Sequence, residues 1–128
     1  MQSTKNPSEA LPERYKALVA EVRRVGSIEK ASNALHMTRR EVQEAIRDTE
    51  GLWSALAEAV RDYRDTKSAA IIASMKRGKS FAHACIAETI SQTTVETWAG
   101  TRPELWAAIE EDTQRLRESL HEKIGGRL

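Results

Sequence analysis

The sequence predicts an all-α protein in which one helical plan occurs twice. Hydrophobic residues make up 40% of the chain, mostly as alanine and leucine, and there are only three prolines. This composition favours helices over strands. An ungapped shift of 53 positions also brings the apolar framework onto itself, which we interpret as an internal duplication. The matched positions include Leu18 with Ile71, Val42 with Val95, and Leu52-Trp53 with Leu105-Trp106.

Length, cysteine content and hydropathy limit the class of protein. A chain of 128 residues fits one domain or two very small ones. The single cysteine, Cys85, excludes an intramolecular disulfide and favours a reducing compartment. No apolar run approaches the ~20 residues that span a bilayer, and no signal sequence is apparent. We therefore expect a soluble, cytoplasmic protein.

Charge is segregated along the chain although the formal net charge is only +1. The span from Arg14 to Arg47 holds eight basic and four acidic residues, and the span from Lys67 to Arg102 holds five basic and two acidic residues. Acidic residues concentrate in the segments that follow. This distribution suits a surface that faces DNA, and the alternative is an ordinary solvated helical surface.

Local signals delimit three helices in the first unit, residues 12–65, which follows a flexible arm at residues 1–11. The expected helices are Glu13–Val25, Ile28–Leu35 and Arg39 to about Thr49. Gly26 ends the first helix and Ser27 caps the second. Thr38 and Glu41 have the spacing of a capping box, which marks the start of the third helix.

The second unit, residues 66–113, repeats this order, and residues 114–128 extend its last helix. Ser80 and Ser91 are the expected caps of helices Phe81–Glu88 and Gln92–Ala99. A further helix follows the break at Gly100-Thr101-Arg102-Pro103. Residues 52–76 contain no glycine or proline, so they form either one long helix or two helices that break near Asp65-Thr66.

The order of helices is typical of a helix-turn-helix, in which small residues allow two helices to cross closely. Ala31-Ser32 and Ala84-Cys85 occupy the expected crossings, and Met37 and Ile90 follow the turns. His36 and Thr89 stand where many such turns have glycine. The third helix of this motif lies in the major groove of DNA.

Two family resemblances support DNA binding. Residues 18–53 resemble the helix-turn-helix of LysR-type regulators, through Gly26-Ser27-Ile28, Ala31-Ser32 and Leu35-His36-Met37-Thr38. Within the 128 residues we expect no counterpart of that family's effector domain. The second unit resembles the helix-turn-helix of phage small terminase subunits and related mobile-element proteins. Gly78-Lys79-Ser80-Phe81, Thr94-Val95 and Pro103-Glu104-Leu105-Trp106 carry that likeness.

The candidate DNA contacts are the polar residues that point away from Val42 and Val95. Arginine binds guanine and glutamine binds adenine in a bidentate manner. The alternatives are arginines that pair with Glu41 and Glu44 on a solvated face, and a second unit that packs against protein. The candidates are Thr38, Arg39, Arg40, Gln43, Glu44 and Arg47 in the first unit, and Ser91, Gln92, Thr93, Thr94 and Thr97 in the second. Lys76, Arg77 and Lys79, which precede these helices of the second unit, are candidate phosphate contacts.

Other chemically capable residues favour structural roles. The three histidines lack metal-ligand spacing, so we expect neither a metal site nor an enzyme, and no cofactor is indicated. Cys85 and Trp98 are expected in the core. Trp53 and Trp106, which are equivalent by the 53-residue shift, are expected to fill the cores of the two units.

These observations predict a sequence-specific double-stranded DNA-binding protein, as a transcriptional regulator of a phage or other mobile element. One alternative is an oligomeric DNA-packaging adaptor of the small-terminase kind, and another is a protein-interaction module that has lost DNA binding. The last helix has an apolar stripe at Leu116, Leu120 and Ile124. We expect this stripe to form a homodimer, unless the helix folds back over the first unit.

Overall fold

The computed structural model describes residues 10–125, with side chains described for residues 10–122, and it is all-helical over that range. The chain divides into two compact units, the first ending at Asp65 and the second beginning at Thr66. The helices are α1 (Glu13–Val25), α2 (Ile28–Ala34), α3 (Arg39–Asp48), α4 (Leu52–Lys76), α5 (Phe81–Ala87), α6 (Gln92–Ala99) and α7 (Pro103–Gly125).

The helix ends follow the local signals closely. Helices α1 and α6 have the expected bounds, while α2, α3 and α5 each end about one residue earlier than the sequence suggested. Helix α4 runs without a break from Leu52 to Lys76 and includes the boundary between the units. Its continuity follows from the absence of glycine and proline, which are the usual causes of helix breaks.

The first unit is built on side chains from all four of its helices. Leu18 and Val22 of α1 are completely buried, and they share one core with Ala31, Val42 and Leu56. Leu11 is also buried in this core, so the end of the predicted flexible arm is packed rather than loose. Residues 1–9 of that arm and the side chain of Ile124, part of the stripe predicted on the last helix, lie outside the described residues.

The second unit buries the residues that stand 53 positions further along. Ile71 and Leu105 are completely buried, as are Val95 on α6 and, to within 1% exposure, Ala84 and Cys85 on α5. Trp98 is 7% exposed, in agreement with its predicted place in the core. The burial of small residues on α5 and a β-branched residue on α6 repeats the pattern of α2 and α3.

Gly26 allows a close contact within the first unit. It ends α1 with a φ of 77°, in the left-handed region that favours glycine. A Cβ atom at this position would overlap the ring of Tyr63 on α4. Gly26 is therefore needed both for the end of α1 and for the approach of α4.

The prediction that Trp53 and Trp106 fill the cores is wrong. Their side chains are 57% and 51% exposed. Leu52 and Leu105, the residues immediately before them, are completely buried instead. Because successive residues in an α-helix point about 100° apart, a leucine that faces the core turns the following tryptophan towards the flank of the helix.

Candidate nucleic-acid interface

The turn between α2 and α3 is fixed by backbone hydrogen bonds and a buried side chain. His36 has a φ of 58°, and the Met37 amide donates to the Ser32 carbonyl at 2.8 Å. Met37 is only 4% exposed, and Ala31 is completely buried where the two helices approach. These contacts hold α3 at a defined angle to α2.

A capping box begins α3, as the sequence predicted. The Thr38 amide donates to Glu41 Oε1 at 2.9 Å, and the Glu41 amide donates to Thr38 Oγ1 at 3.1 Å. Arg14 of α1 donates to Glu41 Oε2 at 2.9 Å. The backbone hydrogen bond from Thr38, followed by the one from Arg14, lowers the pKa of Glu41. Glu41 thereby orders the start of α3, and it forms its ion pair with Arg14 rather than with the arginines of α3.

Helix α3 presents two rows of polar side chains opposite its packed side. Val42 and Ala45 are buried, and side chains four residues apart form rows along the helix surface. The first row consists of Arg39, Gln43 and Arg47, and the second of Arg40, Glu44 and Asp48. All of these residues and Thr38 are exposed. The first row is basic with a central amide, whereas the second changes from basic to acidic.

The three arginines of α3 differ in their ion pairs. Arg40 lies 3.7 Å from Glu44, and Arg47 lies 2.9 Å from Asp48. Among the residues that the structure describes, no acidic group is within salt-bridge distance of Arg39. Exposed pairs of this kind contribute at most about 1 kcal/mol, so they leave Arg40 and Arg47 available to another anion.

The second unit forms its turn with the same hydrogen bonds, each displaced by 53 positions. Thr89 has a φ of 59°, and the Ile90 amide donates to the Cys85 carbonyl at 3.1 Å. Ser80 and Ser91 cap α5 and α6 by accepting from the His83 and Thr94 amides. Thr89, which is β-branched, and His36 thus take the same left-handed conformation at corresponding turns.

Helix α6 exposes hydroxyl and amide groups but no basic side chain. Its predicted contacts are all exposed: Ser91, Gln92, Thr93, Thr94 and Thr97. Two of the threonine hydroxyls are occupied locally. Thr94 Oγ1 lies 2.8 Å from Ser91 Oγ, and Thr97 Oγ1 donates to the Thr93 carbonyl at 3.0 Å. The surface of α6 is therefore less suited to phosphate than that of α3.

Positive charge in the second unit lies instead at the junction of α4 and α5. Lys76, Arg77 and Lys79 are exposed, and within the described part of the chain no acidic group pairs with them. In the first unit, the residues that correspond to Lys76 and Arg77 are Arg23 and Arg24, which pair with Asp62 and Glu21. The corresponding cations are thus paired with acidic residues at the end of α1, whereas those at the end of α4 have no ion pair among the described residues.

Sequence reasoning missed two features of these surfaces. The ion pair between Arg14 and Glu41 joins residues 27 positions apart, and no local pattern signals it. Ile86 near the end of α5 is 72% exposed, and it corresponds to the polar, exposed Asn33 of the first unit. The change from a polar to an apolar residue at this pair of equivalent positions is the sequence signal that indicates the exposure of Ile86.

The remaining reactive groups lie elsewhere. Cys85 is 1% exposed, and burial raises the pKa of its thiol to about 11, with a smaller contribution from the charge of Glu96. Within residues 10–122, no three histidine, cysteine or carboxylate side chains are grouped so that they could hold a metal ion. In the same range, no helix combines the length and the apolar character that crossing a membrane requires.

Comparisons with models of protein families, with curated proteins and with solved structures give no match.

Proposed function

We propose that this protein binds double-stranded DNA through two tandem helix-turn-helix units and acts as a sequence-specific regulator. The observation that carries the proposal is the basic row Arg39, Gln43 and Arg47, presented on a capped helix that follows a tightly fixed turn. Such a helix fits the major groove of B-DNA, where its side chains reach base edges. The likeness of the second unit to small terminase subunits favours a phage or mobile-element setting.

The equivalence of the two turns supports the duplication. His36 and Thr89 have φ values within one degree of each other, and Met37 and Ile90 donate to equivalent carbonyls. Non-glycine residues adopt this conformation rarely. Finding it twice at the same offset, between equally capped helices, is consistent with one ancestral unit that was copied.

Within α3, we assign base reading to Arg39 and Gln43. Arg39 has no competing ion pair among the described residues, and Gln43 lies one turn further along the same row. An arginine donates two hydrogen bonds to guanine, and a glutamine forms two with adenine. We assign Arg40 and Arg47 to phosphate contacts, for which their weak, exposed ion pairs with Glu44 and Asp48 are exchanged.

The second unit contributes phosphate contacts in this proposal. Lys76, Arg77 and Lys79 form a group of unpaired cations beside the capped start of α5. Cations of this kind hold the DNA backbone without reading sequence. Helix α6, which lacks basic residues, adds hydroxyl and amide groups.

The test is a selection from random duplex DNA, followed by anisotropy titrations of the selected site and of a scrambled duplex. We expect Arg39→Ala to cost about 1–3 kcal/mol on the selected site and much less on the scrambled one. Arg61→Ala, which removes the same charge from the exposed side of α4, is the matched control and should bind normally. Equal losses on both duplexes would exclude a base-reading role for Arg39, and absence of binding would exclude the function.

An oligomeric DNA-packaging adaptor is the second candidate. The exposed apolar side chains Ile86, Leu116 and Leu120 favour it, because a ring needs apolar contacts between subunits. A ring-sized mass in solution and weak sequence preference would identify this role. A protein-interaction module without DNA binding would give no salt-dependent association with either duplex.

A further inference from the structure

The outward row of α6 differs in chemistry from the corresponding row of α3. A shift of 53 positions places Gln92 at the position of Arg39 and Glu96 at the position of Gln43. Both side chains of α6 are exposed, and neither has a hydrogen bond or an ion pair among the described residues. The second unit thus presents an amide and a carboxylate where the first presents a guanidinium and an amide.

Helix α6 is held within its unit in the way that α3 is held within the first. Val95 is completely buried, so this side of α6 packs on the core of the unit. Ser91 Oγ accepts from the Thr94 amide at 3.2 Å, which fixes the first turn of the helix. Because side chains four residues apart lie on one face of a helix, Gln92 and Glu96 are directed away from the core together.

The two exposed groups of α6 suit base edges better than phosphates. A glutamine has no charge that attracts a phosphate, but its amide donates to adenine and accepts from it in the major groove. A carboxylate only accepts, so Glu96 fits the amino group of cytosine and is repelled by the oxygens that guanine and thymine present in that groove. The cations at the junction of α4 and α5, in the same unit, supply the attraction to phosphates that α6 lacks.

We propose that α6 reads a second subsite, in which Gln92 binds adenine and Glu96 binds cytosine. This inference rests on the proposed binding of DNA and extends it, because that proposal assigns no base to α6. In the first subsite, Arg39 and Gln43 specify guanine and adenine. The two subsites therefore differ at both equivalent positions, and the target of one chain is neither a direct repeat nor a palindrome.

A selection from random duplex DNA with the wild type and with Gln92→Arg tests the assignment. Arginine at this position should change one selected base pair from A·T to G·C and leave unchanged the pairs that depend on Arg39. Gln114→Arg is the matched control, because it makes the same exchange at an exposed glutamine of α7 and should keep the wild-type preference. The reciprocal variant Arg39→Gln should change one pair of the first subsite from G·C to A·T.

Anisotropy titrations of the selected site and of versions with single base changes measure each contact. The wild type should bind about tenfold or more weakly when the adenine assigned to Gln92 is replaced by guanine, and Gln92→Ala should lose this discrimination at that position only. Glu96→Gln should change the preference at its own position from cytosine to adenine. Circular dichroism of each variant shows whether the fold is retained.

The outcomes distinguish this inference from the proposed function. If the selected site changes with Arg39→Gln but not with Gln92→Arg or Glu96→Gln, then α6 reads no bases and the inference is overturned, while DNA recognition by α3 stands. A helix α6 that docks on another protein would give this result. If the wild type selects no sequence, the proposed function fails and the inference fails with it.

Discussion

Thr89 and His36 have the same backbone conformation, but they differ in how well they tolerate it. Both residues lie in the left-handed region, at φ values of 59° and 58°. A β-branched residue there is strained by about 1–2 kcal/mol, and histidine is tolerated better. Glycine removes the strain but adds freedom to the unfolded chain. We expect Thr89→Gly to raise the free energy of unfolding by about 0.5–1 kcal/mol, and His36→Gly to raise it by less.

Urea denaturation of the wild type, Thr89→Gly and His36→Gly measures these changes in the free energy of unfolding. Thr93→Gly is the control, because Thr93 lies inside α6, where glycine lowers stability. A loss of stability in Thr89→Gly would mean that the Thr89 side chain makes contacts that outweigh its backbone strain.

Cys85 should be unreactive in the folded protein. Its thiol is buried and its pKa is raised to about 11, so the thiolate that attacks reagents is scarce at pH 8. We expect slow modification by a disulfide reagent in buffer and rapid modification in denaturant. Since the neutral thiol is favoured in the folded state, stability should also fall as the pH rises from about 9 to 11, and this decrease should be smaller in Cys85→Ala. Rapid modification in buffer would show that α5 opens readily.

At the scale of the helix, α3 depends on the hydroxyl that begins it. Thr38→Ala removes the acceptor for the Glu41 amide and should lower the free energy of unfolding by about 1 kcal/mol, while Thr38→Ser retains the cap. The pKa of Glu41 is lowered in the folded state, so its contribution is present at neutral pH and is lost as the pH falls below about 4.5. Thermal melts at pH 7 measure the loss of stability caused by Thr38→Ala, and melts of the wild type at pH 7 and pH 3 measure the loss of the Glu41 contribution. Equal stability of the wild type and Thr38→Ala at pH 7 would contradict the role of the cap.

Helix positions could be predicted from sequence because their signals are local. Ser27, Thr38, Ser80 and Ser91 cap the helices that they were expected to cap, since each hydroxyl reaches an amide only three residues ahead. The orientation of a large side chain depends on more than its neighbours. The alignment of Trp53 with Trp106 showed that the two positions correspond, and both are indeed exposed to similar degrees, but correspondence alone does not distinguish a core position from a surface one.

The candidate interface was predictable only in part for the same reason. Exposure of Arg39, Gln43 and Arg47 follows from helical spacing around the buried Val42. Helical spacing also separates Arg40, which has Glu44 four residues ahead, from Arg39, which has no acidic residue three or four positions ahead. The contact from Arg14 to Glu41 depends instead on how α1 packs against α3, so it required the tertiary structure.

Across the whole molecule, the proposed function divides recognition between the units: α3 reads bases and the junction of α4 and α5 holds phosphates. Replacing Lys76, Arg77 and Lys79 together by alanine should weaken binding to every sequence alike. It should also reduce the slope of log affinity against log salt concentration by about three, because each phosphate contact contributes ~0.9. Arg39→Ala should instead change the preferred sequence.

A matched triple variant separates this effect from a general loss of charge. Arg61, Arg64 and Arg117 are exposed cations outside the proposed interface, and their joint replacement by alanine removes the same charge. Anisotropy titrations at several salt concentrations should show nearly unchanged slopes for this control, because only cations that contact phosphates release counterions from DNA. If both triple variants lower the slope equally, the second unit makes no specific phosphate contacts and the protein attracts DNA only through its overall charge.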